Sequence, residues 1–245
     1  MPILILVEVL LQAGCVYHAS QKGTVYPWIF IIMIPGFGPA AYFLFEILPD
    51  LAQTRGGQKV AADLRTVLDP EREFRERKAA AELASTPATK AAFAEECARR
   101  GMHDEAIAMY RSALSGQYCD DPHLLLALAK VQIAQGDHSG CQQTLDRLRD
   151  RNPDFRSDDG HLIYARALEG QNKEVDALKE YEALVGYYPG LEARVRHALY
   201  LQKLGRVDEA RVRLQAVIDD HRRMPKFSQD LNRDWANVAR RNLEG

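Results

Sequence analysis

The run of apolar and polar positions changes character near residue 48. Residues 25–48 form a stretch of 24 with one charge, Glu46, near the far end. A helix of that length, at ~1.5 Å per residue, covers a hydrocarbon core of ~30 Å. Tyr26 and Trp28 stand at its start, where interfacial aromatic anchors belong. Pro35, Gly36, Phe37, Gly38 and Pro39 interrupt it. That run predicts a kink, with small residues that let a second helix approach closely. Residues 1–17 are a shorter apolar run holding one acid, Glu8. Beside the stronger segment they read as the other arm of a two-pass transmembrane hairpin over 1–48, with the turn at 19–24. Glu8 is then either a functional group inside the span or an acid near enough to the surface to reach water.

Beyond residue 48 the spacing becomes that of short amphipathic helices. Residues 49–85 read as a linker and a packing helix. Gly56 and Gly57 loosen the chain, and Asp69, Pro70 and Glu71 form a helix start signal. Residues 74–84 predict a weakly amphipathic helix that packs on the helices after residue 86 or stands as a solvated spacer.

From 86 to 225 the chain repeats itself. Gly101, Gly136, Asn172 and Gly205 stand at predicted tight turns, separated by 35, 36 and 33 residues. Gly and Asn are the residue types that accept a positive φ at a helix end. Five residues later a small side chain recurs (Ala106, Cys141, Ala177, Ala210), and four further on a large one (Tyr110, Leu145, Tyr181, Leu214). Seven residues before each turn stands an alanine: Ala94, Ala129, Ala165 or Ala198. Pro122, Pro153, Pro189 and Pro225 fall between repeats, where a helix must stop. Two short helices cannot bury an apolar face alone, so each pair must stack on its neighbours. Residues 226–245 carry Phe227, Leu231, Trp235 and Val238 at helical spacing. They suit a capping helix, with Trp235 either packed on the last repeat or offered to a partner.

Charge and cysteine usage narrow the chemistry. The chain is near neutral, with a formal net charge of -2. That gives no general pull toward nucleic acid. Cys15, Cys97, Cys119 and Cys141 lie far apart, with no paired spacing for zinc or a disulfide framework. A secretory signal would need a basic start, and a lipoprotein signal would need Leu where Gln12 stands before Cys15. The histidines are scattered, with no metalloprotease motif and no glycine-rich phosphate loop. Asp158, Asp159 and Gly160 read more simply as a helix cap than as a metal site. The expectation is a protein that is not an enzyme, with no cofactor, no metal and no small-molecule substrate.

Two resemblances rest on these residues. His18, Trp28 and the run from Pro35 through Gly36 and Gly38 to Tyr42 resemble the two-helix N-terminal region of cardiolipin synthases and other phospholipase D family proteins. That family's chemistry lies in His-x-Lys motifs, and none of the seven histidines here is followed two residues later by Lys. The resemblance therefore implies a membrane module and no catalytic residue. Residues 87–223 resemble the tetratricopeptide repeat family, although its signature Trp is missing from the first helix of every repeat. The implied fold is all-α: a transmembrane hairpin, then a right-handed α-solenoid of about four repeats with a C-terminal capping helix. The whole arrangement looks like a group of bacterial membrane proteins. Lys22 in the turn is outnumbered by Arg55, Lys59 and Arg65 after the second segment. The positive-inside rule then places the repeats in the cytoplasm, at the bacterial inner membrane.

Family geometry lines a concave groove with the first helix of each pair. It brings Arg99, His123 and Lys130 there from the first two repeats, and Arg166, Glu169, Gln202 and Lys203 from the last two. Lys130, Arg166 and Lys203 are suited to carboxylates of a bound peptide, or are ordinary solvated charges. The expected function is a membrane-anchored scaffold for a protein partner. The alternatives are a structural subunit assembled through the hairpin, or a non-catalytic accessory factor in phospholipid metabolism.

Overall fold

The computed structural model describes residues 2–23, 25–35, 37–54, 58 and 69–244, and all regular structure among them is helical. The chain divides into two compact units, Met1–Glu73 and Phe74–Gly245.

In the first unit α1 spans Pro2–Lys22 and α2 spans Val25–Ile32. The short α3 (Phe37–Tyr42) runs through a π-helical turn, Phe43–Ile47, into α4 (Leu48–Gln53). Lys22 pairs with Asp50. The segment expected to kink is broken instead: helical structure stops at Ile32, and Met33, Ile34 and Pro35 form a turn. Gly36 lies outside the described residues. Gly38 is buried where α3 begins against the end of α2. A Cβ there would lie far inside van der Waals contact with the carbonyl oxygens of Ile31 and Ile32, so only glycine fits. The small-residue run does allow a close approach, but by folding the chain back rather than by bending one long helix.

That break overturns the membrane assignment. Among the described residues no helix is long and apolar enough to cross a membrane. The eight residues of α2 rise only about 12 Å, against a hydrocarbon core of ~30 Å. α1 has the length, with 21 residues, but Glu8, Gln12, His18, Ser20, Gln21 and Lys22 dilute its apolar character. The two-pass transmembrane hairpin, the inner-membrane location and the cytoplasmic orientation of the repeats therefore lose their basis. Arg55, Lys59 and Arg65, on which the orientation rested, lie outside the described residues. Four of the residues assigned to the membrane segment form a packed cluster. Tyr42 is fully buried, its hydroxyl lies 3.0 Å from His18 Nδ1, and the Trp28 ring meets it edge-on at 5.2 Å. Cys15, Ala19 and Ile32 complete this cluster, and Gly38 makes room beneath it. Pro35 is exposed in the turn, and Glu8 is half-buried on α1.

The helix α5 (Arg72–Ala84) starts three residues after the Asp69 start signal, and from Phe74 onward it belongs to the second unit. Its Phe74 and Ala81 pack with Phe93 in the first core cluster, with the Phe74 and Phe93 rings 5.4 Å apart. Four helix pairs come next: α6 (Pro87–Arg99) with α7 (His103–Ala113), and α8 (Pro122–Gln135) with α9 (His138–Arg151). Then come α10 (Asp158–Gly170) with α11 (Glu174–Val185), and α12 (Glu192–Lys203) with α13 (Val207–Arg223). The chain ends in α14 (Lys226–Leu231) and α15 (Arg233–Glu244).

Local chemistry explains these boundaries. Thr86 and Thr89 form a reciprocal capping box at the start of α6, and the side chains of Asp121, Asp137 and Ser157 cap α8, α9 and α10. Pro122 is the first residue of α8, where its missing N–H costs nothing. The four turn residues adopt the left-handed conformation their identities predict: φ is 75° at Gly101, 89° at Gly136, 56° at Asn172 and 80° at Gly205. The repeating alanines Ala94, Ala129, Ala165 and Ala198 are all fully buried, as are the small residues after the turns. They bring helix axes together, and Tyr110, Leu145, Tyr181 and Leu214 fill the space between. Four core clusters result, each joining one helix pair to its neighbour. The last takes in Ala236 and Ala239 of α15, with Trp235 packed alongside.

Candidate functional site

The first helices of the pairs, α6, α8, α10 and α12, carry the residues expected to line the groove. The structure brings some together and turns others away. Arg99 is committed to its own helix, where its guanidinium pairs with the buried carboxylate of Glu96. Arg100 donates to the same carboxylate at 2.6 Å and lies over the Phe74 ring, 4.7 Å from its centroid. His123, in the first turn of α8, meets Phe155 edge-on at 5.4 Å. Arg99 and His123 thus serve the packing of the helices.

Lys130, Glu169 and Lys203 are each paired with a group on a neighbouring first helix. Lys130 donates to Asp159 at 3.3 Å, joining α8 to α10. Asp159 also accepts from the Tyr188 hydroxyl at 3.3 Å, which ties the segment after α11 to the same point. Glu169 accepts from the buried Tyr181 hydroxyl at 2.7 Å, and Lys203 Nζ approaches it at 3.8 Å from α12. Gln202 is half-buried beside Lys203. Arg196, on the preceding turns of α12, donates to Glu192 at 2.7 Å and stacks over Trp235 at 4.8 Å. Trp235 is thereby covered by packing.

Arg166 is the exception. It is half-buried on α10, and among the described residues it makes no hydrogen bond and no ion pair within 4 Å. Burial holds its guanidinium below the ordinary value, and the nearby Arg196 charge adds to the effect. Tyr181, Glu192 and Glu169 act in the opposite sense from a distance. A guanidinium remains charged under all practical conditions, so this is a desolvated cation with donors to spare. A carboxylate would meet two parallel donors there, in a site less hydrated than the surface.

Sequence spacing found Arg166, and found Tyr181 only as a large residue that fills the stack, but missed Arg196 and Tyr188. The spacing of Glu192 and Arg196 at i, i+4 was a legible signal for one pair. No local signal marks Tyr188, because its partner Asp159 lies 29 residues away.

Comparisons with known proteins agree with the repeat architecture. Family models described as tetratricopeptide repeat match residues 98–166 and residues 192–222. Tetratricopeptide repeats are therefore present in both segments. No curated protein matches the chain. A solved structure titled "MamA MSR-1 C2" is similar over 64% of this chain and 97% of that one, at 17% identity and a TM-score of 0.44. The resemblance of the first 48 residues to cardiolipin synthases is not shown by these comparisons, and the accessory role in phospholipid metabolism loses its support with it.

Proposed function

We propose that the repeat unit is a non-catalytic protein-binding scaffold, and that the surface of α8, α10 and α12 takes an acidic segment of its partner with Arg166 at the centre. The observation that carries this reading is the half-buried, charged Arg166, which among the described residues has no carboxylate within ion-pair distance and feels Glu169 and Glu192 only from further off. Burying a cation without a counter-charge is unfavourable, and an arriving carboxylate relieves that cost. Lys130 and Lys203 flank it, each loosely held by one exposed or half-exposed carboxylate at 3.3 and 3.8 Å. Such surface pairs contribute only about 0–1 kcal/mol and exchange readily for a ligand's acid. The presence of tetratricopeptide repeats supports the same class of function.

The test is the double variant Lys130→Glu with Arg166→Glu in the full chain. Recovery of a crosslinked protein partner from native extract should fall at least tenfold, while helix content and melting temperature stay close to the parent. The milder Arg166→Gln keeps the side chain's bulk and should show the same direction of loss. Unchanged partner recovery in both variants removes this surface from consideration.

A further inference from the structure

A second cleft lies where the second repeat meets the third. We propose that it is a separate docking cleft that accepts a large apolar side chain of a protein ligand with a carboxylate close beside it. The cleft has a volume of about 360 Å³. That is within the range of pockets that enclose small ligand groups. The end of α9, the loop 152–157, the first half of α10, Glu180 from the middle of α11 and Tyr187 beyond its end build it.

Its floor is apolar. Leu145 and Leu148 of α9 are buried, and Phe155 and Tyr164 are partly buried beside them in the second core cluster. One wall is a hydrogen-bonded chain. His161 Nε2 lies 2.5 Å from Glu180 Oε2, and His161 Nδ1 is bonded to the Tyr187 hydroxyl. That chain holds α10, α11 and the segment after it in one arrangement, so the cleft is preformed rather than assembled by the ligand.

The charges on the rim bear on the choice of ligand. Glu180 is taken up by His161. Arg149 is taken up by Asp146 at 2.8 Å and lies over the Tyr164 ring at 5.7 Å. Asp158 also lines the cleft, exposed and without an ion pair or hydrogen bond among the described residues, in the first turn of α10 where the helix dipole stabilises an anion. Of the cations, Arg156 is left. It lines the cleft, is exposed, and among the described residues makes no ion pair or hydrogen bond. An apolar floor under one uncommitted guanidinium matches an aromatic or long aliphatic group joined to a carboxylate. That the carrier is a protein rests on the scaffold reading above, whereas the chemistry of the cleft does not.

The test therefore uses small probes on the full chain. Titration with 3-phenylpropanoate, followed by methyl NMR, should move the Leu145 and Leu148 signals saturably. The probe 3-phenylpropylamine, with the same ring and the opposite charge, should bind at least fivefold more weakly. Arg156→Glu, at an exposed position that leaves the fold intact, should reverse that preference. Arg166→Glu should leave the titration unchanged, so failure of the groove and failure of the cleft are read separately. No saturable shift at Leu145 and Leu148, equal binding of the two probes, or an unchanged preference in Arg156→Glu would each overturn the proposal.

Discussion

His197 makes this fold sensitive to acid in a way that one substitution isolates. It lies on α12, fully buried, with its ring stacked on Tyr181 at 5.9 Å and 6° between planes. Neither ring nitrogen has a hydrogen-bond partner among the described residues. Burial pushes the imidazole down to about 4, helped by the charges of Arg213 and Arg206 and opposed by Glu209. In the unfolded chain the same group titrates near its ordinary ~6.5. The folded value is the lower one, so folding favours the neutral ring. Its contribution is fully present above pH ~6.5 and is lost as pH falls toward 4. The shift corresponds to about 3 kcal/mol in total, of which about 2 kcal/mol is already lost at pH 5. His197→Leu removes the titration and the unmet polar atoms while keeping an apolar side chain of similar size. Urea unfolding followed by circular dichroism at pH 7.5 and pH 5.0, with equal m-values, measures the effect. The parent should lose about 2 kcal/mol more than His197→Leu between those two pH values. If both proteins lose the same amount, the buried neutral imidazole is not what links this fold to pH.

Two further perturbations test the packing. Gly170→Ala would place a Cβ against the His138 ring, and overpacking of this kind costs about 1–3 kcal/mol. Adding His138→Ala should recover part of that loss in a thermal or urea double-mutant cycle, and simple additivity would refute the clash. Among the thiols, Cys97 and Cys141 are fully buried, and burial pushes the Cys141 thiol up to about 12. Iodoacetamide at pH 8 should therefore label the half-buried Cys119 first and reach Cys97 and Cys141 only on unfolding, as read by mass spectrometry of digests. Early labelling of Cys141 would show that the second core cluster is open.

The repeats were legible because their signals are local. A left-handed turn needs Gly or Asn at one position, and the four turns carry Gly101, Gly136, Asn172 and Gly205. A close helix pair needs an alanine or cysteine at a fixed distance from that turn, and all four pairs have one. Residues 25–48 misled for a related reason. Average hydropathy reports how apolar a segment is, not whether its helix continues. Pro35 and Pro39 supply no N–H, and the chain at Gly38 folds back onto Ile31 and Ile32 instead of spanning forward. Their effect depended on whether neighbouring helices would pack against the break, and window hydropathy does not contain that fact.

By itself, then, the sequence determined the helix pairs, their turns and which face of each helix is buried, because these depend on residues within about one turn of each other. Tertiary structure alone decided which charges are committed and which are uncommitted. Arg99, Lys130, Arg166 and Lys203 read alike in the sequence as cations on one surface. Packing gave Arg99 to Glu96, Lys130 to Asp159 and Lys203 to Glu169, and left Arg166 half-buried with no carboxylate within ion-pair distance among the described residues. It likewise drew Leu148, Phe155, Arg156 and His161 around one cleft. Coulomb and desolvation energies depend on distances through space, and for these residues folding alone sets those distances.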